Sequence, residues 1–201
     1  MIDVKAITQL QQDCVERWHR EGLDNPYEAF LELVCRQHQF NYQLWHQEDV
    51  ARSRDVSDAM LAEVKRTIDK LNQQRNDAIE ALDDRLLGQL AAWGATPRPR
   101  ARWNTETPGS AIDRLSILAL RIYHMEEQTR RTDADEAHRT RAADKLAVLR
   151  QQRDDLAAAL KQLLADIFAG RKRLKVYRQF KMYNDPALNP YLYGAAQKPA
   201  A

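Results

Sequence analysis

Glycine is scarce in this chain, with six in 201 residues. No GxGxxG or Walker-type run is among them, which excludes the familiar glycine-rich phosphate loops. Cysteine is scarcer still, with Cys14 and Cys35 alone. Their spacing matches no metal motif and supports no disulfide framework. On helical registers both read as small core hydrophobes, Cys14 beside Leu10 and Trp18. An excess of one charge is also lacking: 31 Lys and Arg stand against 29 Asp and Glu, a net charge of +2, so the whole chain does not read as a nucleic-acid binder. The apolar run around Ile117 to Leu120 is cut by Arg121, far short of the roughly 20 residues a membrane span needs. No apolar stretch of a signal peptide follows Met1. HExxH and a Ser-His-Asp context are missing too. These absences lead us to expect a reduced, cytoplasmic protein without a transmembrane segment.

Charge itself is abundant, at 30% of residues, and chain breakers are few, which is the composition of long amphipathic helices. Ile7, Leu10, Cys14 and Trp18 make a helical stripe over residues 3–20. Asn25-Pro26 with Glu28 is a helix start signal, and Tyr27, Phe30, Val34, Asn41 and Trp45 keep the period to about Arg54. Ser57 caps a helix that runs to Leu87 or on to Trp93, before Gly94. Residues 94–109 hold three prolines and two glycines and form the one long connection. Helices follow over 110–131 and 134–169, the last stopped by Gly170. No stretch alternates with period two long enough for a convincing strand. A helix of about 36 residues is about 54 Å long, more than the roughly 43 Å diameter of a compact sphere of this chain. The expected fold is therefore all-α: an elongated four-helix bundle in one domain over 1–201. A first hairpin (26–93) and a second (110–169) are flanked by the N-terminal helix and a C-terminal arm (170–201).

The two hairpins resemble one another. At an offset of 78 residues, Trp45-His46-Gln47-Glu48-Asp49 lies over Tyr123-His124-Met125-Glu126-Glu127, and Leu71 to Asp77 lies over Leu149 to Asp155. Residues 41–90 share 13 identities with 119–168, where composition alone gives about four. An internal duplication predicts a pseudo-two-fold bundle in which equivalent residues face one another.

Both long helices carry an arginine on an apolar seam. One seam reads Ile68, Leu71, Arg75, Ile79, Leu82; the other reads Leu146, Leu149, Arg153, Leu156, Leu160. A guanidinium stays charged and is rarely buried unless paired, and the simplest partners are Glu48 for Arg75 and Glu126 for Arg153. Asn41, Trp45, Glu48, Asp49 and Arg52 share one face of the first bundle helix, and Glu126 and Arg130 the equivalent face of the third. Asp69, Asn72, Asn76, Asp113, Arg114 and Ser116 add to a polar layer inside the bundle. Three readings stand for that layer. It is a satisfied Arg–carboxylate network that fixes register. Or it is an anion pocket, in which Arg52, Arg75, Arg114, Arg121, Arg130 and Arg153 surround a phosphate or carboxylate, with Trp45, Asn76, Asp77 and Asp113 lining it; His46, Glu48, Asp49, His124, Glu126 and Glu127 are then the acid/base candidates. Or it is a metal site, since His46 with Asp49 and His124 with Glu127 each put two ligands on one helix face.

Arg98, Arg100 and Arg102 alternate with Pro97, Pro99 and Ala101 in the connection, which proline keeps extended. Residues 171–181 carry six basic residues and no acid, with Leu174, Tyr177 and Phe180 interleaved at helical spacing. RNA or acidic lipid is one reading of this arm; the other is an arm docked by its aromatics with its basic groups snorkelled outward.

The box 45–49, the run Ile68 to Asp77, Asn104 to Pro108, the run Ile112 to Met125, Lys181 to Asp185 and Asn189-Pro190 together carry a resemblance. Over nearly everything after about residue 35 the chain resembles the bacterial domain-of-unknown-function family 4254. The resemblance implies an envelope-glycan context and hence a phosphosugar or nucleotide-sugar ligand. The expected partners are a small anionic ligand, or a protein of glycan synthesis held by the basic arm and the Pro/Arg connection, with a homodimer also admitted and nucleic acid disfavoured.

Overall fold

The structure, a computed structural model, describes residues 2–180, 182 and 185–193. Met1, Lys181, Tyr183, Asn184 and 194–201 lie outside the described residues, and with them part of the expected C-terminal arm and of the Lys181 to Asp185 motif. Five long helices carry the fold: α1 (Val4–Glu21), α2 (Ala29–Arg52), α3 (Asp58–Ala92), α4 (Pro108–Thr129) and α5 (Glu136–Phe168). A single turn, α6 (Pro190–Tyr193), follows. The chain is all-α in character, and α3, with 35 residues, is about 52 Å long.

Helix starts follow from capping chemistry. Asp3, Ser57, Thr107 and Asp135 each accept a backbone N–H of the first turn of α1, α3, α4 and α5, satisfying donors that have no intrahelical partner. Three starts differ from expectation, α5 beginning at Glu136 rather than 134 with Asp135 as its cap. α2 begins at Ala29 rather than at Pro26, because Asn25 turns its carbonyl on the Tyr27 N–H and Ala29 takes a left-handed φ of 56°. α4 begins at Pro108 rather than 110, with proline in the first turn, where its missing N–H has no cost.

α2 pairs with α3 and α4 with α5, two antiparallel hairpins side by side. Shifting α2 and α3 forward by 78 residues lays 29–52 on 107–130 and 58–92 on 136–170, within two residues of the bounds of α4 and α5. Equivalent core leucines pack together: Leu82 with Leu160 and Leu86 with Leu164 lie in one apolar cluster with Val34, Ile112 and Leu115. α1 is no appendage. Its Ile7, Leu10, Cys14 and Trp18 are buried in that same cluster, so the core has five walls.

The connection and the arm meet at one end. β1 (Arg102–Trp103) and β2 (Lys172–Arg173) form a two-residue parallel bridge, the one strand pairing among the described residues. Gly170 makes the crossing possible: its φ is +68°, and a Cβ there would lie 2.5 Å from the Thr96 carbonyl oxygen. Beyond it Leu174 packs on the core. The arm is then held by charge, not by its aromatics. Arg178 bridges Glu80 and Asp84 at 2.9–3.0 Å, and the Gln179 N–H donates to Glu80 at 2.8 Å. Phe180, which was expected to dock, is 84% exposed.

Candidate functional site

A buried polar layer crosses the bundle where α1, α2 and α4 meet. Its centre is His38, fully enclosed. Its Nε2 lies 2.9 Å from the Gln11 carbonyl oxygen and its Nδ1 2.6 Å from the Ser116 hydroxyl. The carbonyl can only accept, so Nε2 carries the proton and Nδ1 receives the hydroxyl's. Burial drives the His38 pKa down to about 3, against the pull of the Gln11 carbonyl, and the ring is neutral. Asn41 donates to Ser116 Oγ and to Asp113 Oδ1, both at 2.9 Å, and Gln37 donates to the same Asp113 oxygen at 2.6 Å. Burial raises the Asp113 pKa, with Asn41 and then Arg75 pulling it down. His38 and Ser116 are 78 residues apart, so one bond of this layer joins positions that are equivalent in the two hairpins.

Arg75 reaches Asp113 but not closely: Nε to Oδ1 is 3.9 Å. That Nε is buried and has no hydrogen-bond partner. Its expected partner Glu48 pairs instead with Arg52, one turn along α2, at 2.9 Å. Arg75 lines two adjoining clefts. One, of about 400 Å³ between α2, α3 and α4, brings together Trp45, Glu48, Asp49, Arg52, Arg75 and Arg121 with Asn41 and Asn72. The other, of about 550 Å³, carries Arg75, Asn76, Asp113 and Arg114, closed on one side by Gln179 of the arm. Asn76 donates to Gln179 at 3.0 Å. Arg114 is committed to Glu106 through both carboxylate oxygens. The exposed Arg121 side chain has neither an ion pair nor a hydrogen bond among the described residues.

The corresponding place in the second hairpin is filled. Arg153 and Glu126 line a crevice of about 20 Å³ whose far wall is Thr8, Gln11, Gln12 and Glu16 of α1. Glu126 does not pair with Arg153 as expected; it takes Arg150 at 2.5 Å and Arg130 at 3.5 Å. Arg153 turns to its neighbour Asp154 at 2.8 Å. Asp77, expected in the site, is exposed and accepts from Gln73.

The histidines go elsewhere. His46 and His124, equivalent at the 78-residue offset, face one another with ring centroids 6.1 Å apart, and His19 of α1 completes a triangle at 5.3 and 5.2 Å. Trp45 stacks on His124 at 4.7 Å, and Tyr42 and Tyr123 close the cluster. Burial, then the neighbouring His19 and His124, lower the His46 pKa. His124 is tied to Glu127 at 2.8 Å. The metal candidates His46, Asp49, His124 and Glu127 therefore do not gather: no group of three or more His, Cys, Asp or Glu among the described residues is set to hold an ion.

Sequence reasoning missed Gln11, Gln37 and His38. His38 had a readable signal, since it falls four residues after Val34 and three before Asn41 on one stripe. It also missed Asp83, buried on α3, which accepts the Gly109 N–H of α4 at 2.7 Å. Burial raises the Asp83 pKa to about 6, against the Thr107 and Gly109 hydrogen bonds. Gly109 is required there, because a Cβ would meet the Ile79 carbonyl oxygen at 2.6 Å.

No helix among the described residues is long and apolar enough to cross a membrane. No curated protein and no solved structure matches the chain. One family does, described as a protein of unknown function (DUF4254), over residues 31–176. That span takes in nearly all of both hairpins and, apart from Gln11 and Gln179, the polar-layer and Arg75-cleft residues named above, and the chain belongs to this family.

Proposed function

We propose that the cleft between α2, α3 and α4 binds a small anionic metabolite of the phosphosugar or nucleotide-sugar type, through Arg75 and Arg121. The observation that carries this is a surplus of guanidinium donors. Arg75 has a buried, unpartnered Nε and a single long ion pair, and the exposed side chain of Arg121, on the same cleft, has no partner among the described residues. Planar guanidinium forks match phosphate and carboxylate geometry, and Arg75 is half-buried with its Nε enclosed and without a close partner. Asn41 and Asn72 add amides, Glu48 and Asp49 offer acceptors for sugar hydroxyls, and Trp45 supplies an aromatic wall. The envelope-glycan context belongs to the same proposal and follows from the family resemblance.

The function proposed is binding. His46 and His124, the first acid/base candidates, do not line this cleft. The internal duplication is also part of the reading. It is supported by the common helix bounds, the His38–Ser116 bond and the facing His46 and His124. On this view one of two ancestral pockets stayed open while α1 filled the other.

A thermal-shift screen tests it. At a hundred times its Kd a ligand stabilises by about 2.7 kcal/mol, a rise of roughly 5–10 °C for a chain of this size. Phosphorylated sugars or nucleotide sugars should raise Tm where the unphosphorylated sugars do not. A flat response across the set would remove the proposal.

A further inference from the structure

Residues 95–105 and 167–180 contain no acid, and together they carry Arg98, Arg100, Arg102, Arg171, Lys172, Arg173, Lys175 and Arg178. The fold joins these two distant stretches. Arg98 donates its N–H to the Gly170 carbonyl at 2.9 Å, and the parallel bridge sets Arg102 beside Lys172 and Trp103 beside Arg173. Two of the eight cations are spent within the fold, Arg171 on Asp166 and Arg178 on Glu80 and Asp84. The others make no ion pair among the described residues, and Arg98, Arg100, Arg102 and Lys175 are exposed. A chain of net charge +2 thus concentrates unpaired cations at one end of its bundle.

The same end exposes indoles. Trp93, at the C-terminus of α3, is 64% exposed, and Trp103 is 55% exposed. A guanidinium lies over Trp103, with Arg173 Cζ 5.2 Å from the ring centroid, and the Lys175 ammonium lies 5.4 Å from the Tyr177 ring. These cations compete with bases for the ring faces, which weakens the stacking that single-stranded nucleic acid uses. Cations beside amphipathic aromatics are instead the composition that sits at the headgroup level of a bilayer.

We infer that this end of the bundle is a docking surface for an anionic lipid bilayer, with Arg98, Arg100, Arg102, Arg173 and Lys175 on the headgroups and Trp93 and Trp103 at the interface. Attachment is peripheral, since no helix among the described residues can span. The inference is independent of the Arg75 cleft.

Flotation of the full chain with vesicles tests it, comparing phosphatidylcholine alone with phosphatidylcholine mixed with phosphatidylglycerol. The protein should float with the anionic vesicles only, and less as salt is raised. A juxtamembrane cation contributes about fivefold in affinity, so R98Q/R100Q/R102Q should weaken binding about a hundredfold, with Tm unchanged because these side chains are exposed. Failure to float with anionic vesicles, equal binding to neutral ones, or undiminished binding by the triple variant overturns the inference. Tighter binding to polyuridylate or polyglutamate than to vesicles, lost in the same variant, overturns it as well and assigns the patch to RNA or an acidic protein.

Discussion

Arg75 and Arg153 occupy equivalent seam positions in two hairpins of common design, yet their surroundings differ. The Arg153 crevice is walled by α1 and holds about 20 Å³; the Arg75 cleft is open and holds about 400 Å³. The charges differ too: Arg153 pairs with Asp154, whose counterpart beside Arg75 is the neutral Asn76. Glu126 is neutralised by Arg150, and 78 residues earlier the chain has Asn72 in place of that arginine. In the first hairpin no second cation shares the acid, and Arg75 faces Asp113, which already accepts from Gln37 and Asn41. One residue pattern, repeated at a 78-residue offset, thus lines a closed structural crevice on one side and a polar cleft with spare donors on the other. The lesson is that identical residues take their roles from the helix that covers them.

The bond that joins the halves offers the largest test. His38→Leu leaves the Gln11 carbonyl and the Ser116 hydroxyl without their enclosed partner and should lower stability by about 4 kcal/mol, read by urea unfolding. Attacking the same bond from the other hairpin is milder. Ser116→Ala should remove about 1 kcal/mol, because His38 keeps Gln11 and Asn41 keeps Asp113. Equal losses would mean that the two ends of the bond are not differently supported.

A second difference is titratable. Asp83 meets the start of α4, while its equivalent in the second hairpin is the exposed Lys161. The Asp83 pKa rises from 3.8 to about 6 on folding. Its contribution is fully present below the unfolded pKa and is lost as pH rises through the folded one. Stability should therefore fall by about 3 kcal/mol between pH 3 and pH 7. Asp83→Asn should flatten that part of the profile, and a slope that survives the substitution would assign it to another group.

The arginines themselves predict the smallest stability effects and the sharpest contrast. Arg75→Met should leave stability within about 1 kcal/mol of the parent or raise it, since a poorly paired half-buried charge is replaced by an apolar side chain. Arg153→Met should lower it by up to about 1 kcal/mol, because the ion pair with Asp154 is lost.

Helices, hairpins and their common register were legible because apolar seams and caps repeat at one offset. Ser57 is an ordinary capping residue at the start of a long stripe, whereas Thr107, the cap of α4, went unread. The polar layer was legible in its Asn41, Asp113 and Ser116, but its ion pairs were not. Periodicity places Glu48 and Arg75 on facing sides without giving the rotation that turns Glu48 toward Arg52. Nor does it say which hairpin α1 covers, because the α1 stripe fits either apolar face. Gln11 and Gln37 went unread for a related reason: a lone amide on a helix reads as surface until a neighbour encloses it. The arm was misread through its aromatics, since Tyr177 and Phe180 share the spacing of a packed stripe while Arg178, a residue of the usual surface type, makes the attachment.

The most direct measurement is the affinity of one phosphorylated sugar or nucleotide sugar, by calorimetry, for the parent chain, Arg75→Met and Arg153→Met. Loss of a charge-assisted contact to phosphate removes roughly 1.5–3 kcal/mol, so affinity should fall about tenfold to a hundredfold in Arg75→Met and stay at the parent value in Arg153→Met. Unchanged affinity in Arg75→Met, or equal losses in both variants, would contradict an anion site confined to the open half of the bundle.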